Sequence, residues 1–146
     1  MKSNPKLTLL KDISFTLLGE GKTIRLKAEG LSMFPSIKPG SVIHIEPVTQ
    51  TGNLQPGDII AWKRSHGFVA HRLIRKYRKN HTDYFVTRGD CRFHEDAPVT
   101  AELIAGKVNR VEYPEGTAVP VKSWNKRNPV YIFNRISLIL TKVFKH

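Results

Sequence analysis

The sequence predicts a mainly β domain with a short helix at each end. Between residues 23 and 108, short apolar or alternating segments are separated by Gly, Pro, Asn or Asp, which is typical of strands joined by turns. Little helical periodicity lies between them, so we expect a β sandwich or a partly closed β barrel. The chain has 146 residues, of which 40% are hydrophobic, enough for one domain with a modest core.

Residues 1–22 are assigned to an N-terminal helical segment, which Gly19 ends. The apolar residues that share one predicted helix face are Leu7, Leu10, Ile13 and Leu17. Lys11 and Asp12 interrupt this segment, and a bilayer span needs about 20 consecutive apolar residues, so we expect no transmembrane helix. No small-residue cleavage site of a secretory signal peptide follows, and the expected location is the cytoplasm.

Residues 23–112 form the predicted β domain. Its strand-like segments span residues 23–28, 41–46, 58–62, 68–74, 84–87 and 104–108. In the first segment apolar and polar residues alternate, as they do in a half-buried strand.

Residues 113–146 are predicted to be a linker followed by an amphipathic helix, with Asn128 as the N-cap and Pro129 in the first turn. Its apolar positions are Ile132, Phe133, Ile136, Ile139, Leu140 and Val143. This helix can pack on the β domain or lie in a membrane interface. Its basic flank favours peripheral contact with an anionic membrane, and comprises Lys126, Arg127, Arg135, Lys142 and Lys145.

The net charge of +12 predicts attraction to anionic partners. The stretch from Lys63 to Lys79 contains no acidic residue and seven cations, which are Lys63, Arg64, Arg72, Arg75, Lys76, Arg78 and Lys79. The aromatic residues Trp62, Phe68 and Tyr77 interleave with them. This composition suits phosphate contacts with base stacking, so a nucleic-acid-binding domain is the main non-enzymatic alternative. The single cysteine, Cys91, excludes an internal disulfide.

Three polar features stand out from the strand pattern: Ser32 in a turn, His71 within a strand, and the acidic loop that contains Asp90 and Asp96. A serine hydroxyl is a poor nucleophile until a base removes its proton, and imidazole suits that task near neutral pH. A carboxylate on the other ring nitrogen fixes the tautomer. If the fold brings these residues together, they form a hydrolytic triad.

In their order and in their amino-acid sequence, these segments resemble the type I signal peptidases of the branch that uses histidine as the base. The resemblance covers about residues 23–110. The matching motifs are Ser32-Met33-Phe34-Pro35, Pro56-Gly57-Asp58-Ile59-Ile60, His71-Arg72-Leu73-Ile74, Thr87-Arg88-Gly89-Asp90 with Asp96, and Gly106-Lys107-Val108. The resemblance implies a signal-peptidase-like, partly closed barrel or sandwich.

By the same resemblance, Ser32 is the nucleophile and His71 the general base. Asp96 is the first choice to orient His71, and Asp90 is the second or cooperates structurally. Met33 and Phe34 are expected to bind substrate. In the family the Ser32 backbone N–H would serve the oxyanion hole, whereas Gly30 offers no second, side-chain donor.

The resulting hypothesis is a serine endopeptidase that removes a leader or propeptide from a dedicated polypeptide substrate. Because the N-terminal membrane helix of true signal peptidases is missing, we expect this work in the cytoplasm or on the inner membrane face. The alternative is a basic β domain, a degenerate relative, that binds nucleic acid or an acidic membrane surface. No cofactor or metal is expected, since Cys91 and His94 make only half a zinc site and His66 is a weak partner for it.

Overall fold

The computed structural model describes residues 5–65, 67–121 and 129–144. Strand accounts for 41% and helix for 22%, which confirms a mainly β fold. The strands are β1 (Ile24–Lys27), β2 (Val42–Pro47), β3 (Ile59–Arg64), β4 (Gly67–Lys79), β5 (Thr82–Arg88), β6 (Val99–Thr100), β7 (Ile104–Glu112) and β8 (Ala118–Pro120). The helices are α1 (Pro5–Gly19) and α2 (Pro129–Phe144).

All eight strands belong to one antiparallel sheet with the order β1-β2-β7-β3-β4-β5-β6, and β8 pairs with β7. Within the described residues β1 and β6, at the two ends of this order, do not pair, so the sheet is not closed. β3 and β7 pair with each other in the middle of this order. This arrangement places β4, which carries His71, beside the central strand β3.

The core consists of two apolar clusters to which the alternate residues of β3 contribute. Ile59 and Ala61 belong to the first cluster, whereas Ile60 and Trp62 belong to the second. Successive side chains of a strand point to opposite faces, so β3 is buried on both. This double burial explains why its sequence is a continuous apolar run rather than an alternating one.

The N-terminal helix forms as predicted, but it buries a different face. Lys11, Ser14 and Leu18 are buried, whereas Leu10 and Ile13 are about half exposed. The buried residues are spaced three and four apart and therefore share one helix face. Leu18 enters the first core cluster. The Lys11 ammonium donates a hydrogen bond to the Ser65 carbonyl, 3.0 Å away, which ties α1 to the β3–β4 turn.

The β4–β5 hairpin is longer than the sequence predicts. The charged residues after Ile74 obscure the strand pattern, yet pairing continues to Lys79 and Thr82. Near its tip Tyr77 stacks on Tyr84, with ring centroids 5.2 Å apart. Cross-strand pairs of this kind stabilise a hairpin whose faces are largely solvated.

The segment predicted to be a linker contains β8, which adds a short strand to the edge of β7. The C-terminal helix forms, and the side chains of Ile132, Phe133, Ile136, Ile139 and Leu140 are exposed, with Phe133 at 70%. The predicted N-cap Asn128 lies outside the described residues. The same holds for three members of the predicted basic flank, namely Lys126, Arg127 and Lys145. In the described part of the chain, no helix combines the length and hydrophobicity needed to cross a bilayer.

Candidate active site

Ser32, His71 and Asp96 form a continuous hydrogen-bonded chain. Ser32 lies in the turn between β1 and β2, and its Oγ is 3.0 Å from His71 Nε2. The other ring nitrogen, Nδ1, is 2.6 Å from Asp96 Oδ2. The three side chains come from separate stretches of the chain, and the fold brings them together in the order that a hydrolytic triad requires. Their catalytic roles remain predictions.

The loop after β5 holds Ser32 in place. The Cys91 backbone N–H donates a hydrogen bond to the Ser32 carbonyl, 2.8 Å away. A Cβ at Gly89 would lie 2.6 Å from that carbonyl oxygen and 3.1 Å from Ser32 Cβ. The loop backbone therefore approaches the serine so closely that only glycine fits at position 89. This close approach gives the glycine of the Thr-Arg-Gly-Asp motif a steric reason.

Asp96 is fixed by Thr87, the penultimate residue of β5. The Asp96 backbone N–H donates to the Thr87 carbonyl over 2.8 Å. The Thr87 hydroxyl lies 2.6 Å from Asp96 Oδ2, the oxygen that also faces His71. The loop from Gly89 to Glu95 thus begins and ends against β5, and its last turn presents the carboxylate to the imidazole.

Asp90, the second candidate to orient His71, has a different partner. Its carboxylate makes a two-pronged ion pair with the Arg72 guanidinium, at 2.8 Å and 2.7 Å, and it accepts a hydrogen bond of 2.7 Å from the Ser36 hydroxyl. Arg72 also donates to the Gly57 carbonyl over 2.7 Å. The geometry therefore supports a structural role for Asp90, in which it braces the loops on either side of the candidate triad.

The environment of Arg72 corrects the sequence interpretation. As part of the basic stretch from Lys63 to Lys79 it was expected to be available for phosphate contacts, but only 1% of it is exposed. A buried guanidinium requires a carboxylate partner, and Asp90 supplies one. Arg72 therefore belongs to the protein interior and not to a basic surface.

The two residues predicted to bind substrate lie in different places. Met33 is 4% exposed, belongs to the first core cluster and lines the groove beside Ser32. Its sulfur lies 3.4 Å from the Asp90 backbone nitrogen. Phe34 is 44% exposed and is not part of the groove wall. Met33 can therefore contact a chain bound in the groove, whereas Phe34 is exposed to solvent.

A groove of about 1000 Å³ leads to the candidate triad. Leu26 and Ala28, at and just after the end of β1, form one wall, and Phe68 and Ala70 of β4 form another, while Leu10 of α1 lines it as well. Ser32, His71 and Asp96 all line this groove. Its lining combines apolar side chains of β1 and β4 with polar residues of α1 and of the loop after β5.

Three of the seven cations in the basic stretch pair with carboxylates, namely the buried Arg72 and two exposed arginines. Arg75 pairs with Glu95, and Arg78 pairs with Asp83. Trp62, one of the aromatic residues proposed to stack on bases, is 7% exposed. These contacts, together with the burial of Arg72, weaken the case for a nucleic-acid surface in this part of the chain.

Both ring nitrogens of His71 are engaged, one by Asp96 and one by Ser32, so neither is free to bind a metal ion. Residues 5–65, 67–121 and 129–144 contain no cluster of three or more His, Cys, Asp or Glu that could hold a metal. His66, which was considered as a weak zinc ligand, lies outside the described residues.

The sequence patterns missed two features of the site. Thr87 was noted only as part of a motif, because a threonine at the end of a strand usually has no chemical role. The partnership between Arg72 and Asp90 was missed because strand alternation predicts an exposed side chain. A sequence signal for this partnership does exist. One strand carries two adjacent basic residues, and one loop carries two carboxylates that can pair with them.

Comparison with models of known protein families found no match, and no curated protein is significantly similar to this chain. The resemblance to signal peptidases therefore remains a prediction that rests on the short motifs alone. The geometry of Ser32, His71 and Asp96 is independent of that resemblance, since it consists of distances between atoms.

Proposed function

We propose that this protein is a serine endopeptidase of the signal-peptidase type, with Ser32 as nucleophile, His71 as general base and Asp96 as the carboxylate that orients it. The observation that carries the proposal is the continuous chain from Ser32 Oγ through the imidazole to Asp96, at 3.0 Å and 2.6 Å. Both distances are within hydrogen-bond reach, which proton transfer from a nucleophile requires.

In the proposed mechanism, Ser32 Oγ forms a bond to the scissile carbonyl carbon while its proton passes to His71 Nε2. The Asp96 carboxylate accepts a hydrogen bond from Nδ1–H and stabilises the resulting imidazolium. When the C–N bond breaks, that proton goes to the leaving amine. A water molecule then attacks the acyl-enzyme by the same route and releases the carboxylic acid product and Ser32.

The tetrahedral oxyanion requires hydrogen-bond donors. The Ser32 backbone N–H has no acceptor among the described residues and is the first candidate. Gly30, two residues earlier, has φ of +86° and carries no side-chain donor. A single donor is expected to leave the reaction slower than two would, since one such donor contributes about 10²–10³ in rate.

The proposed substrate is a leader or propeptide, because residues of the strands β1 and β4 line the groove. Since β1 lies at one end of the strand order, its outer edge can hydrogen-bond to an extended chain as an added strand.

We further propose that the protein works in the cytoplasm, in peripheral contact with an anionic membrane. The net charge of +12 supports this contact. The exposed apolar side chains Ile132, Phe133, Ile136, Ile139 and Leu140 of α2 support it as well.

The test of the activity is mass spectrometry of a diverse peptide library incubated with the wild-type protein, Ser32→Ala and His71→Ala. We expect specific cleavage by the wild type, and a loss of at least about 10⁴-fold in each variant, since the nucleophile and its base act as a unit. Ser65→Ala, an exposed serine outside the groove, serves as the matched control and should cleave as the wild type does.

Cleavage that survives in Ser32→Ala would refute the peptidase proposal, as would a complete absence of cleavage in the wild type at every pH. The rate should also rise from about pH 5 to about pH 8, because a histidine base accepts a proton only when it is neutral. A flat profile over that range would refute histidine as the base.

A further inference from the structure

Thr87 links the candidate triad to the core of the protein. Only 1% of Thr87 is exposed, and its hydroxyl has two hydrogen-bond partners. One is Asp96 Oδ2, at 2.6 Å, and the other is the indole Nε1 of Trp62, at 3.1 Å. Trp62 itself is 7% exposed and belongs to the second core cluster, so the indole has a fixed position.

The chemistry of these partners fixes the direction of the hydroxyl proton. An indole N–H is a donor only, so it occupies a lone pair of Thr87 Oγ1. An ionised carboxylate is an acceptor only, so the Thr87 O–H must donate to Asp96. The proton cannot rotate toward Trp62 without placing two donors against each other. The indole therefore forces the hydroxyl to aim at the carboxylate.

One oxygen of the Asp96 carboxylate contacts both the imidazole and the threonine hydroxyl. Oδ2 of Asp96 is 2.6 Å from His71 Nδ1 and 2.6 Å from Thr87 Oγ1. The Thr87 carbonyl also accepts the Asp96 backbone N–H, so one residue holds both the main chain and the side chain of Asp96. A carboxylate held at two points keeps its oxygen directed at the imidazole.

We propose that Thr87, aimed by Trp62, is a positioning residue that holds Asp96 in the orientation needed by His71. This inference rests on the proposed function, because it concerns the same triad. It predicts that removing the hydroxyl lowers kcat and leaves KM unchanged, since Thr87 is buried behind Asp96 and does not touch the groove.

The experiment compares Thr87→Val, which replaces the hydroxyl with a methyl group, with Thr87→Ser, which keeps it. With 4-nitrophenyl acetate as the probe, we expect Thr87→Val to lower kcat by about 10- to 100-fold, the effect of losing one hydrogen bond to a charged group. Thr87→Ser should retain most of kcat. In an Asp96→Asn background Thr87→Val should cause no further loss, because the residue acts through Asp96.

A second readout does not depend on turnover. The His71 Nδ1 proton in its hydrogen bond to Asp96 should give a low-field proton NMR resonance, identified by its loss in His71→Ala. We expect this resonance to move or disappear in Thr87→Val and to persist in Thr87→Ser. An unchanged resonance and unchanged kcat in a folded Thr87→Val protein would overturn the inference. An equal fractional loss of kcat in the wild-type and Asp96→Asn backgrounds would also overturn it, since that result indicates a merely structural role.

The two proposals fail in different ways. If the wild type shows no Ser32-dependent hydrolysis but the resonance responds to Thr87→Val, the peptidase proposal fails while the positioning of the carboxylate stands. If hydrolysis depends on Ser32 but neither readout responds to Thr87→Val, only the assignment of Thr87 fails.

Discussion

His71 and Arg72 are neighbours in β4, and each binds a carboxylate from the same loop, yet the two pairs lie in different surroundings. The side chains of His71 and Asp96 are 12% and 20% exposed and line the groove. Those of Arg72 and Asp90 are both 2% exposed. Successive side chains of a strand point to opposite faces, so one step along β4 separates the groove from the interior.

This difference shows how one strand and one loop can supply both a candidate catalytic pair and a pair that stabilises the fold. A partly exposed imidazole that lines a groove can accept a proton from one bound group and pass it to another. A buried guanidinium stays charged and must keep its partner, because an uncompensated buried charge is strongly unfavourable. Removing a carboxylate should therefore affect activity at one pair and stability at the other.

The largest expected effect is on activity, in Asp96→Asn. The amide keeps the shape of the side chain but favours the wrong imidazole tautomer, so hydrolysis should fall by about 10⁴-fold. The melting temperature should stay close to that of the wild type, because the pair is partly exposed. Steady-state kinetics and thermal denaturation of the same preparation check both expectations. If Asp96→Asn instead unfolds without a specific loss of activity, the two carboxylate pairs do not differ in the way proposed.

The next effect is on stability, in Asp90→Asn. This change leaves the buried Arg72 without its carboxylate and should cost about 3–5 kcal/mol of unfolding free energy. For a chain of this size the melting temperature should fall by roughly 10 °C. Urea denaturation measures the loss. Replacing both partners, as Arg72→Met with Asp90→Leu, should recover much of it, and a double variant as unstable as the single one would contradict this explanation.

A smaller effect on activity is expected for Gly89→Ala. The added Cβ would lie 2.6 Å from the Ser32 carbonyl oxygen, so the serine or the loop must shift. A displacement of the nucleophile of this kind can lower kcat by about 10²-fold. Gly52→Ala is the matched control, since nothing lies within 4 Å of its added Cβ. Equal activity of the two variants would show that the loop does not position Ser32.

The smallest expected effect is a change in stability caused by replacing a carboxylate at the protein surface. Hydrogen bonds from Arg25 and then from His44 hold the pKa of Glu112 below its usual range. A lowered folded-state pKa contributes stability above the unfolded value, about 4.3, and loses it as the pH falls through the folded value. Glu112→Gln should therefore slightly lower the melting temperature at pH 6 and lower it by less at pH 3, whereas Glu115→Gln should change it less at pH 6. A difference that grows toward low pH would contradict this sign.

The sequence predicted the fold class and the main strands because β3 and its neighbours have strong apolar patterns bounded by turn residues. It did not predict β8, which is only three residues long, or the far half of β4, where charged residues obscure the strand pattern. Nor did it predict which face of α1 is buried. Helical periodicity favoured Leu10 and Ile13, but the fit against the sheet buries Lys11 and Ser14 instead.

The candidate site could be proposed from motif order, since Ser32, His71 and Asp96 each have the right chemistry for a triad. Their distances could not, because contact between residues this far apart in sequence depends on the whole sheet. The structural role of Asp90 could also be identified only from the structure. Only the burial of Arg72 distinguishes a carboxylate that braces the fold from one that faces an imidazole.

The contacts of Arg72 have a consequence for how this protein can change over evolutionary time. One guanidinium joins the segment before β3, through Gly57, to the loop after β5, through Asp90. A mutation at either charged position must pass through an intermediate that leaves its partner stranded in the interior. We therefore expect the two positions to be substituted together in descendants of this chain, while the surface lysines of the hairpin drift freely.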